Sequence, residues 1–271
     1  MTDHDIRPFE TIEEYRQCVA LQEETWGHGF SERVSPAILK VSQILGGVAA
    51  GAWDEDGGLA GFVFGLTGVR DGRTVHWSDM LAVRRGTRDS GLGRRLKAYQ
   101  RQVLLERGID TMYWTFDPLQ SRNAHLNFSR LGIVVREYRR DMYGDTDSPL
   151  HKGIGTDRFV AFWEMGSERV RRRLEGEEPR PPDPARMARA LGAATEASRH
   201  PRPAEPKLAL EEETLLVAIP ARISHIMADD MSLAVVWREA TRSVLAHYLE
   251  AGWEVRELLR RADTSDYVLM R

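Results

Sequence analysis

The sequence is short of several things at once. One of its 271 residues is a cysteine, Cys18, so no intrachain disulfide can form. Disulfide scaffolds belong to small secreted domains, whereas this length, at roughly 150 residues per domain, allows about two domains with cores of their own. No apolar run approaches the roughly 18 residues that mark a membrane span, and no signal-type apolar stretch follows Met1. These absences point to a soluble protein of a reducing cytoplasm with no membrane partner. A one-sided charge is missing too: 38 basic residues face 41 acidic ones, for a net charge of −3. A dedicated nucleic-acid binder would carry a basic excess, so no nucleic-acid partner is expected. Lysine is scarce, occurring only at 40, 97, 152 and 207, a bias of base composition rather than of function. What is present, 42% hydrophobic and 29% charged residues, is globular composition.

Proline marks the organisation. Seven of the 12 prolines, from Pro179 to Pro206, fall within 28 residues, which forbids a continuous helix or a central strand there. The chain is therefore divided into a domain over residues 1–175, a Pro-rich linker over 176–207 and a smaller domain over 208–271. Between the two proline clusters, residues 185–197 have the composition of a short helix.

Within the first domain, residues 4–10 suggest a strand, and Thr11 with Glu14 forms a capping box for a helix to Trp26. Ile12, Tyr15, Val19, Gln22 and Trp26 make its stripe. A second helix begins at Ser35-Pro36. Residues 47–53 and 59–66 flank Asp54-Glu55-Asp56-Gly57-Gly58 as a hairpin. Residues 74–83 read as a longer strand with Trp77, Asp79, Leu81 and Val83 on one face. A helix follows from Gly91, with Leu92, Leu96, Tyr99 and Val103 inward and Arg94, Arg95, Lys97 and Arg101 outward. Then come a strand at 111–116, a helix from Ser121 to Leu131 stopped by Gly132, and two further strands. The order is that of a mixed α/β fold.

The chemistry is concentrated in residues 81–96. A strand, a glycine-bearing polar turn and an amphipathic helix opening on Gly91-x-Gly93 make an anion site, because first-turn amides lack helical partners and the helix dipole is positive there. Glycines let a phosphate reach the backbone, and Arg88 adds charge. Leu96 stands where a dinucleotide fingerprint needs its third glycine, and Arg94-Arg95 replaces the Lys-Ser/Thr of a P-loop.

Arg88-Asp89-Ser90-Gly91-Leu92-Gly93, preceded by Leu81-Ala82-Val83, resembles the R/Q-x-x-G-x-G/A motif of the GCN5-related N-acetyltransferase (GNAT) superfamily. Ala124 through Leu131-Gly132 is similar to the family's fourth helix, and the resemblance covers about residues 4–165. It implies a GNAT-like mixed, mostly antiparallel central sheet flanked by helices. It also implies an N-acyltransferase that uses acetyl-CoA or another acyl-CoA, needs no metal, and acts on a small amine. The coenzyme contacts implied are Leu81, Val83, Arg88, Asp89, Ser90, Gly91, Leu92, Gly93 and Arg94, with Asn123 binding coenzyme or acceptor, or capping its helix.

The transferred acyl group requires an amine that has lost its proton, and hence a base. Asp79 lies near where many relatives place a glutamate acting through water; Asp117 is a second candidate, and each could instead be a structural aspartate. The family's tyrosine acid falls here on Phe128, which leaves Ser121, Asn123, Tyr138, Tyr143 or solvent as proton donor. The loop at 144–158, with His151, Lys152, Thr156, Asp157 and Arg158, offers both charges to an acceptor or is simply solvated.

The C-terminal residues echo the first domain. Residues 128–138 align without a gap on 248–258, and Thr214–Pro220 mimics Thr111–Pro118. A smaller, partial GNAT-like α/β unit, strand-helix-strand-strand, is expected there. The assembly is then either a monomer with a pseudo-repeat or a homodimer. Acetyl-CoA is the favoured donor. The alternatives are succinyl transfer to an amino acid, and a non-catalytic acyl-CoA sensor.

Overall fold

In the computed structural model, residues 4–87, 90–144, 153–177, 183–194 and 199–271 are described. Two compact units divide the chain: Met1–Trp114 with Glu164–Ser167, and Thr115–Trp163 with Glu168–Arg271.

The first unit begins with β1 (Asp5–Pro8) and α1 (Ile12–Trp26). Thr11 Oγ1 accepts from the Glu14 amide while the Glu14 carboxylate accepts from the Thr11 amide, the expected capping box. The buried residues of α1 are Tyr15, Cys18, Leu21 and Gln22, and Ile12 is exposed. Tyr15 and Gln22 of the expected stripe are buried and Val19 and Trp26 pack half-buried against the core, while Cys18 and Leu21 join them and Ile12 stays out, because the face of α1 is set by the elements it packs on. Those are α2 (Pro36–Ile44), capped by Ser35, and the sheet. The hairpin β2 (Val48–Trp53) and β3 (Leu59–Arg70) leads into β4 (Arg73–Val83), then α3 (Leu92–Glu106) and β5 (Thr111–Phe116). The strand order is β1-β2-β3-β4-β5, antiparallel except for the parallel β4–β5 pair. Phe9, Tyr15, Leu21, Leu39, Phe62 and Phe64 fill the core between helices and sheet.

In the second unit, α4 (Ser121–His125) continues as a π-helical turn over Leu126–Leu131 and stops at Gly132. It is followed by β6 (Val134–Arg139), β7 (Arg158–Glu164) and α5 (Glu168–Leu174). Residues 185–197 do not form the expected helix: β8 (Ala188–Leu191) and the two-residue β9 (Ala193–Ala194) stand there, the latter paired with β10 (Arg202–Pro203). The reason is tertiary. Ala188–Leu191 lies parallel to β11 (Thr214–Pro220) and buries Ala190 and Leu191 completely, a tertiary gain that overrides the intrinsic helix preference of this Ala-, Arg- and Leu-rich segment. Residues 195–197 lie outside the described residues. After β11 come α6 (Ile223–Asp229), α7 (Met231–Glu250), β12 (Glu254–Arg260) and β13 (Thr264–Met270). The strand order is β7-β6-β12-β13-β11-β8, again antiparallel but for one parallel edge. The mixed, mostly antiparallel α/β class expected from the sequence is the one observed.

Candidate active site

The segment read as a candidate anion site has the expected strand and helix on either side of a turn. The strand β4 ends at Val83, a single 3₁₀ turn spans Arg85–Thr87, and α3 starts after Gly91. Gly91 has φ +82°, a left-handed conformation that costs other residues about 1–2 kcal/mol. A side chain added there would point into open space. No side chain caps α3, apart from a long 3.4 Å contact in which the Leu92 amide donates to Ser90 Oγ. Arg95 is the first residue to bond back, to the Gly91 carbonyl at 3.1 Å. The Gly93 and Arg94 amides therefore have no intrahelical acceptor, and they sit at the positive end of a 15-residue helix. The structure brings Gly93 against Leu81 and Val83: a Cβ at Gly93 would lie 3.6 Å and 3.9 Å from their side chains. Arg94 is exposed. Arg88 and Asp89 lie outside the described residues.

Asp79 is the extra residue of a β-bulge in β4. Met80 pairs with Phe64 and Ser78 with Gly65, so Asp79 has no partner across the strand pair. A bulge re-aims its side chain. The Asp79 side chain is exposed, yet the protein around it withdraws enough solvent to raise its carboxyl above the ordinary aspartate range. Glu32 adds to the rise and a hydrogen bond with Trp77 offsets part of it.

Beneath β4 lies a buried polar chain. Lys97 Nζ donates to Ser78 Oγ at 2.7 Å, and Ser78 Oγ donates to Gln100 Oε1 at 3.0 Å. Gln100 Nε2 meets His76 Nε2 at 2.9 Å, His76 Nδ1 meets Thr67 Oγ1 at 3.1 Å, and Thr67 Oγ1 donates to the Gly46 carbonyl at 2.8 Å. Every donor finds an acceptor only if His76 carries its proton on Nδ1. Burial, with Lys97 and Arg107, pushes the His76 pKa down to about 3, and it stays neutral. Room for the ring is supplied by Gly65, where a Cβ would fall 2.3 Å from His76 Nε2. Lys97 and Gln100 thus face inward, contrary to the outward reading of Lys97. The buried stripe of α3 is Leu92, Leu96, Lys97, Gln100 and Leu104, and these two polar residues meet polar partners on the sheet. Arg95 and Arg101 are also engaged, donating to the carbonyls of His4 and Met165.

Asp117, Tyr138 and Asn123 belong to the second unit, where the first two join one ion-pair network. Both Asp117 oxygens accept from Arg238 Nη2, at 2.8 Å and 2.7 Å, and Oδ1 also accepts from the Leu119 amide. Arg238 is buried on α7 and its Nε donates to the Ile154 carbonyl. Tyr138 Oη donates to the fully buried Asp157, whose oxygens also accept two bonds from Arg242 at 2.7 Å. Burial and Asp157 raise the Tyr138 phenol well above its usual range. Burial would raise the Asp157 carboxyl as well, but Arg242, Tyr138 and the Asp141 amide hold it below the usual range. Thr156, Asp157 and Arg158 are therefore interior groups rather than a solvated loop, while His151 and Lys152 lie outside the described residues. Asn123 is exposed on α4. Ser121 is buried against Ser265, 2.7 Å between hydroxyls, and Tyr143 is exposed with its hydroxyl 2.8 Å from Thr115 Oγ1.

Phe128 is fully buried, with its ring edge-on to Phe116 and Tyr267 at 6.1 Å and 5.7 Å. That position packs a core and has no use for a hydroxyl. Cys18 is buried, and burial pushes its thiol up to about 12, far from a reactive thiolate. Among the described residues no cluster of three or more His, Cys, Asp or Glu could hold a metal ion, and no helix is long and apolar enough to cross a membrane.

Parts of this chain are similar to solved acetyltransferases. One is a chain of the NatC complex bound to Gag peptide and CoA, at 15% identity over 60% of this chain and 98% of that one, TM-score 0.49. A second is the ribosomal-protein-S18-alanine N-acetyltransferase from Escherichia coli, at 20% identity over 60% and 95%, TM-score 0.46. A third is Arabidopsis thaliana Naa50 in complex with the bisubstrate analogue CoA-Ac-MVNAL, at 12% identity over 59% and 97%, TM-score 0.46. No protein-family model and no curated protein matches the sequence.

Sequence reasoning missed Lys97 as an interior group, and it missed Arg238 and Arg242. Each left a trace. Arg238 and Arg242 stand four apart on α7, and Arg238 interrupts a face otherwise made of Leu233, Ala234, Trp237, Thr241 and Leu245. A charged residue inside an apolar stripe signals a buried partner.

Proposed function

We propose that the chain is an acyl-CoA-dependent N-acyltransferase of the GNAT type, with acetyl-CoA as donor and a small amine as acceptor. The observation that carries this reading is the glycine-opened, uncapped start of α3 set against the end of β4. Such a start suits a pyrophosphate: the Gly93 and Arg94 amides would donate to it, Arg94 would add charge, and Gly91 leaves the approach open. Leu81 and Val83, at the end of β4, line the adjoining wall. The bound acyl-CoA supplies an activated acyl group, a thioester ready for attack by an amine.

The remaining chemistry is proton transfer. Asp79, placed by its bulge and raised in pKa, takes a proton from the acceptor amine through water. Asp117 and Tyr138 hold the interior of the second unit together instead, since each already spends its oxygen atoms on buried partners. The thiolate that leaves takes its proton from solvent, as Phe128 offers none.

The experiment is incubation with acetyl-CoA or succinyl-CoA and a panel of amines while free thiol is followed. Thiol release that depends on an amine supports the proposal, and the preferred donor separates acetyl from succinyl transfer. Saturable coenzyme binding with no turnover on any amine would leave the sensor reading, which the buried Phe128 favours.

A further inference from the structure

A cleft of about 430 Å³ lies beside the turn joining β12 to β13, wholly within the second unit and lined by none of the residues placed above in the candidate active site. Its sides are small. Gly192, Ala193, Ala204 and Ala218 border it, and among the described residues no large apolar side chain lines it. Asp266, opposite Ala218 on the β11–β13 pair, lines the same cleft and is completely buried. Arg189 on β8 donates to both Asp266 oxygens, at 2.9 Å and 3.2 Å, which already makes a one-to-one bidentate ion pair. Arg261 then donates from Nε to Oδ2 at 2.7 Å and brings a second positive charge to the same carboxylate. The terminal nitrogens of Arg261 meet no acceptor among the described residues.

Asp263 stands two residues on and also lines the cleft, and its carboxylate accepts no hydrogen bond among the described residues. Arg261 and Asp263 share one turn without pairing with each other. The turn is fixed by its backbone: the Arg261 amide donates to the Thr264 carbonyl at 2.9 Å, and the Ala221 amide to the Asp263 carbonyl at 3.0 Å. A guanidinium edge and a carboxylate, opposite in sign and each with bonding capacity to spare, therefore face one small-walled space. A ligand with only an oxyanion would meet repulsion from Asp263, and one with only an ammonium would meet it from two arginines. Complementarity selects a molecule that carries both charges. We propose that this cleft is a binding site for a small zwitterion of the α-amino-acid class, its carboxylate received by Arg261 beside Arg189 and its ammonium by Asp263. Asp266 holds the two guanidiniums together, and the glycine and alanine walls leave room for the ligand's side chain. The site stands whether or not the acyl-CoA reading holds.

The test is calorimetry on the full chain in the absence of any acyl-CoA, with glycine, L-alanine, L-leucine and L-glutamate as probes, each beside its Nα-acetyl and its α-amide derivative. At least one free amino acid binds saturably, and its two derivatives, which lack one charge each, bind at least tenfold more weakly. Arg261→Gln and Asp263→Asn each weaken that binding at least tenfold. Asp263→Asn removes no side-chain hydrogen bond made within the described residues, and an unchanged urea midpoint shows that its effect is on the ligand. Amide shifts of the nitrogen-labelled chain centre on 192–194 and 261–264. Four outcomes would each overturn the proposal: no binding by any of the four amino acids, equal binding of a singly charged derivative, affinity unchanged in either variant, or inorganic phosphate bound at this cleft more tightly than every amino acid.

Discussion

Replacing Asp117 by asparagine distinguishes a structural carboxylate from a catalytic one. The Asp117 oxygens lie 2.7–2.8 Å from Arg238 Nη2, and both residues are almost fully buried. At an effective dielectric constant of about 20, such a contact corresponds to roughly 6 kcal/mol of attraction, much of it offset by the desolvation of both ions. Removing one partner is costlier than removing both, because the buried guanidinium is left uncompensated, typically by about 3–5 kcal/mol. The asparagine amide would also point N–H groups at Arg238. The second unit has about 150 residues, for which each kcal/mol corresponds to roughly 2–4 °C. Asp117→Asn is therefore expected to lower the melting temperature of that unit by about 6–20 °C, measured by calorimetry. The double variant Asp117→Leu with Arg238→Met should recover much of the loss, since neither charge remains. If Asp117→Asn melts with wild type while turnover falls a hundredfold, the carboxylate works on substrate and the structural reasoning is wrong.

Asp79→Asn should leave acetyl-CoA affinity within about twofold while lowering kcat by about 10²-fold or more, the usual scale of general-base loss; a wild-type kcat would exclude Asp79 as base. Gly91→Val should weaken acetyl-CoA binding at least tenfold and also cost about 1–2 kcal/mol of stability, because valine resists a φ of +82°. Gly86→Ala, in open space in the same turn and with no positive φ, is the control that should change neither, both quantities being read by calorimetry and urea midpoints. Lys97 has a folded pKa of about 7, below its unfolded value, so between pH 7 and 10 the unfolded chain binds the extra proton and stability rises with pH. Urea midpoints at pH 6.5, 8 and 9.5 should show a slope approaching 1.4 kcal/mol per pH unit that Lys97→Met lacks. Parallel curves for the two proteins would mean that Lys97 is not held as an uncompensated buried cation.

Much of the fold was legible because it follows from local rules. The Thr11 capping box, Pro36 at the first position of α2, the Asp54–Gly58 hairpin and Gly132 at the end of its helix each need only a few neighbouring residues. The glycine turn before α3 was legible for the same reason, since a left-handed Gly91 and an uncapped helix start are properties of one segment. Where a partner distant in sequence decides, local rules failed. Ala188–Leu191 became a strand because β11 offered an edge to pair with, and Cys18 and Leu21 joined the buried face of α1 because α2 and the sheet lay on that side.

The same division runs through the candidate site. From sequence alone came the glycine-opened turn proposed as an anion site and Asp79 on the strand before it. Tertiary structure decided what each charge is for. Asp117 and Arg238 are 121 residues apart, and only the packed interior makes them one ion pair. Lys97 looks like any surface lysine on an amphipathic helix until Ser78 and Trp114 close around it. Local chemistry can be read along a chain, but whether a charge meets water or a buried partner depends on long-range packing, and so does its role.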